Sequence, residues 1–235
     1  MAGILYVVAT PIGNLEDITF RAVRVLSEVD LIAAEDTRQT KILLNKYNIT
    51  TRLTSYHKFN IKTKTGEIIE AVLSGRNVAL VSDAGMPGIS DPGYELVRGA
   101  VEAGIRVEPI PGASAAITAL AVSGLPTDRF IFHGFLPKKP GKKRKALERL
   151  KATGVTVIMY ESPFRLVKTL TDIRTVFGDR PLAVCRELTK KFEEIKRGKT
   201  SEVLAHFQAK VVKGEIVIVV EGLPDDAERE VRSRK

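Results

Sequence analysis

The sequence predicts an α/β protein made of two α/β domains with a ligand cleft between them. Short apolar, β-branched runs alternate with helical-period segments, and Gly/Pro-rich turns separate them. The turn cluster Gly124-Leu125-Pro126-Thr127-Asp128 interrupts this series, and a second series of the same kind follows. The boundary is placed there, giving residues 1–126 and 127–235.

Residues 4–9 form the first predicted strand, closed by the turn Thr10-Pro11-Ile12-Gly13-Asn14. Ala22, Val25, Leu26 and Val29 recur at helical spacing, residues 31–34 read as a strand, and 37–46 as a helix. Strand 77–81, helix 92–103, strand 106–110 and a small-residue helix over 113–122 complete the first half. This alternation predicts a parallel sheet with helices on both faces. The second half reads as strand 129–135, a basic helix near 142–151, strand 155–160, helix 164–177, strand 182–186, helix 201–208 and strand 216–220. The charged tail after residue 222 is expected to fray. Phe130, Phe132 and Phe135 alternate at strand spacing and are read as core rather than as a base-stacking platform, and Cys185 as buried packing.

Composition narrows the class. The chain has 235 residues, 44% hydrophobic and 28% charged, with 18 Gly and 11 Pro, which excludes collagen-like and low-complexity chains. One Cys excludes a disulfide framework and a Cys-based zinc site, and three scattered His argue against any metal site. No apolar run approaches the roughly 20 residues of a membrane span and no basic n-region opens the chain, so a soluble cytoplasmic protein without membrane partners is expected. The net charge of +9 is unevenly spread. Residues 1–134 carry 13 basic and 14 acidic side chains, whereas residues 135–235 carry 24 and 14. The excess peaks at Lys138, Lys139, Lys142, Lys143, Arg144 and Lys145, either a solvated face or a binding surface for a polyanion, foremost RNA.

The sharpest motif is Ser82-Asp83-Ala84-Gly85-Met86-Pro87-Gly88-Ile89-Ser90-Asp91-Pro92-Gly93, placed after a buried-type strand and before a helix. Ligands of open α/β sheets bind at such strand ends. Its Gly residues allow close backbone approach, its Pro residues fix φ, and Asp83 and Asp91 offer acceptors. Two further strand-end loops, around Pro11 and around Gly112-Ala113-Ser114-Ala115, strengthen the case. No G-x-G-x-x-G, P-loop, H-E-x-x-H or G-x-S-x-G motif is present.

The segments ATPIGNLEDIT (9–19), LIAAEDTR (31–38), VSDAGMPGISDPG (81–93), PGASAAITAL (111–120), GFLP (134–137), YESPFR (160–165) and REL (186–188) closely resemble the ribosomal RNA small subunit methyltransferase I family, a branch of the tetrapyrrole methylase superfamily. That resemblance implies methyl transfer from S-adenosylmethionine to the ribose 2′-OH of cytidine 1402 in 16S rRNA, by a homodimer acting on the small ribosomal subunit. It implies donor contacts at Pro11, Asp83, Ala84, Gly85, Met86, Ser114 and Ala115, with Tyr160, Glu161, Arg186 and Glu187 from the second domain. Related tetrapyrrole enzymes carry a Gly-Asp-Pro-like start where this chain has Ser82-Asp83-Ala84, which counts against a porphyrinoid substrate. A macrocycle methyltransferase and a non-catalytic RNA-binding factor are the alternatives.

Activating a ribose hydroxyl calls for a base or a nearby cation. Glu35, Asp36 and Arg38 are the most concentrated candidates, and a helix cap with a surface ion pair accounts for them equally well. His57, Glu161 and Arg165 are the others.

Overall fold

In the computed structural model, which describes residues 2–222, the chain divides into two compact units, with Ser114 ending the first and Ala115 opening the second. The charged tail lies outside the described residues.

The first unit contains β1 (Ile4–Val8), α1 (Phe20–Glu28), β2 (Leu31–Ala34), α2 (Thr37–Lys46), β3 (Leu53–Ser55), α3 (Ile61–Leu73), β4 (Val78–Val81), α4 (Tyr94–Glu102) and β5 (Arg106–Ile110). Its five strands pair in parallel in the order β3-β2-β4-β1-β5. β4 is buried along its whole length because helices cover both faces, as an unalternating Val-Ala-Leu-Val run requires. On one face Ala22, Val25 and Leu26 of α1 and Leu44 of α2 pack against Val8, Ile32, Ala79 and Val81. On the other, Ile68 and Val72 of α3 and Leu96 and Ala100 of α4 pack against Leu5, Ala33, Val78 and Leu80.

The second unit holds α5 (Ala115–Ser123), β6 (Phe130–Phe135), α6 (Pro140–Lys151), β7 (Thr156–Glu161), α7 (Leu166–Phe177), β8 (Pro181–Arg186), β9 (Glu194–Lys199), α8 (Thr200–Gln208) and β10 (Ile216–Val220). The strand order is β6-β7-β10-β8-β9. Only β6 and β7 run parallel; β10 is antiparallel to both neighbours, and β8 and β9 form a further antiparallel pair. Leu147 and Leu150 of α6, Leu170, Ile173 and Phe177 of α7, and Val203 and Phe207 of α8 cover one face. α5 packs on the same sheet against β7, β8 and β10, with Ala116, Ala119 and Leu120 buried. It therefore groups with the second sheet, although the sequence boundary at 126 assigns it to the first domain.

β3, α3 and β9 escape the sequence reading. β3 is three half-buried residues, α3 dilutes its apolar stripe with Thr, Lys and Gly66, and β9 is the polar edge strand Glu-Ile-Lys-Arg-Gly-Lys. Charged edges of that kind protect a sheet from pairing further.

Candidate functional site

Because every pair in the first sheet is parallel, the residues after β1 to β5 emerge at one end of it. α1 follows β1 onto one face and α4 follows β4 onto the other, and β1 and β4 are neighbours. Their loops therefore diverge from a topological switch point, where open α/β sheets bind ligands.

Backbone bonds join those two loops. Thr10 N–H donates to Gly85 O at 2.9 Å and Gly85 N–H to Thr10 O at 3.0 Å. The Thr10 hydroxyl donates to Ser82 O at 3.0 Å and the Ser82 hydroxyl to Gly85 O at 3.3 Å, both among buried atoms. Gly93 takes φ +153°, and a Cβ there would stand 2.8 Å from Gly88 N, so the 82–93 loop folds tightly on itself. Of the predicted donor residues, Pro11 and Gly85 are buried, Met86 and Ser114 half-buried, and Asp83 and Ala84 exposed. Neither Thr10 nor Ser82 stands out in the sequence as a clamp, since each reads as an ordinary turn residue.

At the end of β2, Asp83 Oδ1 accepts the Asp36 N–H at 3.0 Å, joining the β2 and β4 ends. Glu35 lies half-buried beside this pair, and desolvation followed by the charge of Asp83 raises its pKa. Burial likewise raises Asp83. Asp36 behaves oppositely: hydrogen bonds from the Arg38 side chain and backbone lower it to about 2. Its Oδ1 accepts the Arg38 N–H at 2.9 Å and its Oδ2 meets Arg38 Nη2 at 2.6 Å, so the two residues make the cap and ion pair of α2. His57 is half-buried after β3, its Nδ1 accepting the Phe59 N–H at 3.3 Å.

The second-unit candidates are engaged within their own sheet. The Glu161 side chain is 0% exposed; it accepts from Thr169 at 2.6 Å and from Ser162 N–H at 2.7 Å, and pairs with Arg165 at 2.6 Å. A carboxylate so enclosed cannot take a proton from an entering substrate, which corrects the reading of Glu161 as a base and assigns Arg165 to its partner. Arg186 pairs with Glu194 at 3.1 Å, and Glu187 accepts the Glu215 N–H at 2.9 Å and meets Lys190 at 3.1 Å. Tyr160 stays half-buried at the end of β7.

Of the basic run, Lys138, Lys139, Lys142, Arg144 and Lys145 are exposed. Lys143 is not: its side chain is 4% exposed and its ammonium lies 2.7 Å from Asp172 and 3.1 Å from Thr169. This corrects its place among the RNA contacts, and the sequence held the signal, because Lys143 precedes Leu147 by four residues and Leu150 by seven on one helical stripe. Among the described residues no group of His, Cys, Asp and Glu is arranged to hold a metal ion, and no helix is long and apolar enough to cross a membrane.

The family described as Tetrapyrrole (Corrin/Porphyrin) Methylases matches residues 4–204. The chain is 55% identical over 228 residues to the ribosomal RNA small subunit methyltransferase I of Halalkalibacterium halodurans, a match covering 97% of this chain and 79% of the relative. Its counterpart in Bacillus subtilis is 53% identical, with 94% and 75% covered. That of Thermotoga maritima is 51% identical, with 94% and 99% covered. Among solved structures, cobalt precorrin-4 methyltransferase superposes with a TM-score of 0.70 at 18% identity, covering 93% and 94% of the two chains. Diphthine synthase gives 0.73 at 15% identity, covering 98% and 95%, so both share the fold. The chain thus belongs to the tetrapyrrole methylases and, among them, to the ribosomal RNA small subunit methyltransferase I family.

Proposed function

We propose that the chain transfers a methyl group from S-adenosylmethionine to small-subunit ribosomal RNA, at the ribose 2′-OH of cytidine 1402 in the decoding centre of 16S rRNA. The observation that carries this reading is identity of 51–55% across nearly the whole chain with three relatives named ribosomal RNA small subunit methyltransferase I. The basic second half supports it, because a small-molecule substrate does not need such a charge excess. The assembly we propose is a homodimer acting on the small ribosomal subunit.

The strand-end residues of the first unit suit the donor. Asp83 presents an exposed carboxylate for hydroxyls or an ammonium, and Ala84, Gly85 and Ser114 have little side chain to hold a ligand away from the backbone. We assign donor contacts to these residues together with Pro11 and Met86. Glu161, Arg186 and Glu187 instead hold the framework of the second sheet. When bound, S-adenosylmethionine supplies an electrophilic methyl sulfonium. Orienting groups around it can contribute up to about 7–11 kcal/mol to the rate enhancement.

Glu35 fits the role of base best. Asp36 and Arg38 cap α2 and Glu161 is enclosed, whereas Glu35 is half-buried and desolvation raises its pKa. Glu35 would take the 2′-hydroxyl proton as the 2′-oxygen bonds to the methyl carbon and the carbon–sulfur bond breaks, leaving a neutral thioether. The acid-side limb of the pH–rate profile, over which the rate rises as Glu35 loses its proton, is then displaced upward in pH, and Glu35→Gln removes it. An unchanged profile in that variant would exclude Glu35.

The deciding experiment is methyl transfer from labelled S-adenosylmethionine to small ribosomal subunits lacking this modification, with the modified nucleotide mapped. A 2′-O-methyl mark at cytidine 1402 is expected. Donor binding with no transfer to any ribosomal substrate would overturn the reading.

A further inference from the structure

The edge strand β6 carries Phe130, Phe132 and Phe135, which the alternation of the sequence places in the core. The structure leaves Phe130 40% and Phe135 56% exposed. A register shift lies between Phe132 and Gly134: Phe130 pairs with Thr156, Phe132 with Ile158 and Phe135 with Tyr160. Those three partners are spaced by two along β7 and share one face, so the extra residue of the bulge brings Phe135 onto the same face as the other two. Without it, an odd separation of three would send Phe135 to the opposite side. Tyr160 then meets Phe132 and Phe135 edge-on, with ring centroids 4.9 Å and 5.6 Å away.

The same end of β6 is basic. Lys138 and Lys139 follow it and are exposed, and no acidic residue occurs between Phe130 and Leu147. Arg165 Nη1 donates to Leu136 O at 3.4 Å, fixing the turn after β7 to that strand end, and this turn carries Phe164, 96% exposed. A solvent-facing aromatic row on an edge strand is an aggregation hazard unless it has an occupant.

We infer that the β6 edge, through Phe130 and Phe135 and with Lys138 and Lys139 following the Phe135 end, is a stacking surface for unpaired bases of a single-stranded RNA segment. Aromatic faces accept any base, and adjacent cations neutralise the phosphates between bases. Charge selects this occupant, because the stretch from Phe130 to Leu147 holds basic and no acidic side chains and so complements the phosphates of an RNA strand. The inference rests on ribosomal RNA as substrate and specifies how that RNA is held.

Phe130→Leu and Phe135→Leu keep apolar volume but remove the ring. Binding of a short fluorescent single-stranded RNA to each full-length variant, across a salt series, is compared with binding of a matching strand carrying abasic sites. The expected loss is roughly 5- to 100-fold on the intact strand, with the salt slope unchanged and the abasic strand little affected. In the unsubstituted protein, a 4-thiouridine strand is expected to cross-link to the peptide containing residues 130–136. Unchanged affinity, equal loss on the abasic strand, or cross-links confined elsewhere would overturn the stacking surface. So would dissociation of an oligomer by Phe135→Leu in sedimentation, which would give the face to a second copy. Subunit methylation with ring-independent RNA binding refutes this inference alone; ring-dependent binding without methylation of any ribosomal particle supports the surface and refutes the substrate reading.

Discussion

Asp83 and Glu161 are both carboxylates at strand ends, and their surroundings give them different work. Asp83 is exposed and shares one oxygen with a backbone N–H, so it retains capacity for a ligand. Asp83→Ala is expected to weaken S-adenosylmethionine binding in calorimetry while leaving RNA affinity nearly intact; equal loss of both would remove Asp83 from the donor site. Glu161 is enclosed between Arg165, Thr169 and Ser162, and Thr169 also receives Lys143. Removing one partner of such a group leaves buried charge uncompensated, so Glu161→Ala should lose about 3–5 kcal/mol in urea unfolding. A loss under about 1 kcal/mol would show that water reaches the site. Cys185 is a third case: burial lifts its thiol to about 11, leaving it a packing group.

At the scale of elements, the loop between β4 and α4 depends on backbone shape. Gly93 has no side chain because Gly88 N occupies the space, and its φ of +153° is strained for other residues. Gly93→Ala should therefore lower the melting temperature and weaken donor binding together, since the loop carrying Asp83 and Met86 must reshape. Unchanged donor binding in a destabilised variant would separate this packing from the site. Helix α6 shows the limit of charge reading: its Lys-Lys-Arg-Lys run looks uniformly solvated, but the helical period turns Lys143 inward toward Asp172. The same limit hides β9, whose charges suggest a loop until β8 supplies its hydrogen-bond partners.

Across the whole molecule, acid is expected to act through Glu194. Burial alone would raise it, but hydrogen bonds from Lys210, His206 and Arg186 hold it down at about 2. A depressed folded-state pKa contributes stability above the unfolded value of roughly 4.3, lost as pH falls toward 2. Thermal melts should show a decline between about pH 5 and pH 2 that Glu194→Gln reduces. An identical decline in the variant would move the acid sensitivity to other carboxylates.

Apart from β3 and α3, the strands and helices of the first unit, its parallel sheet and the glycine- and proline-rich turns after β1, β4 and β5 were legible in the chain, because each follows from local periodicity and turn chemistry. Family membership was legible in the motifs. The mixed second sheet was not, since Ile216–Val220 reads the same whichever way its neighbours run. Nor were the Thr10–Gly85 bridge, the enclosure of Glu161 and the bulge that aligns Phe135 with Phe130. Each of those depends on which distant backbone lies alongside, and only tertiary pairing settles that.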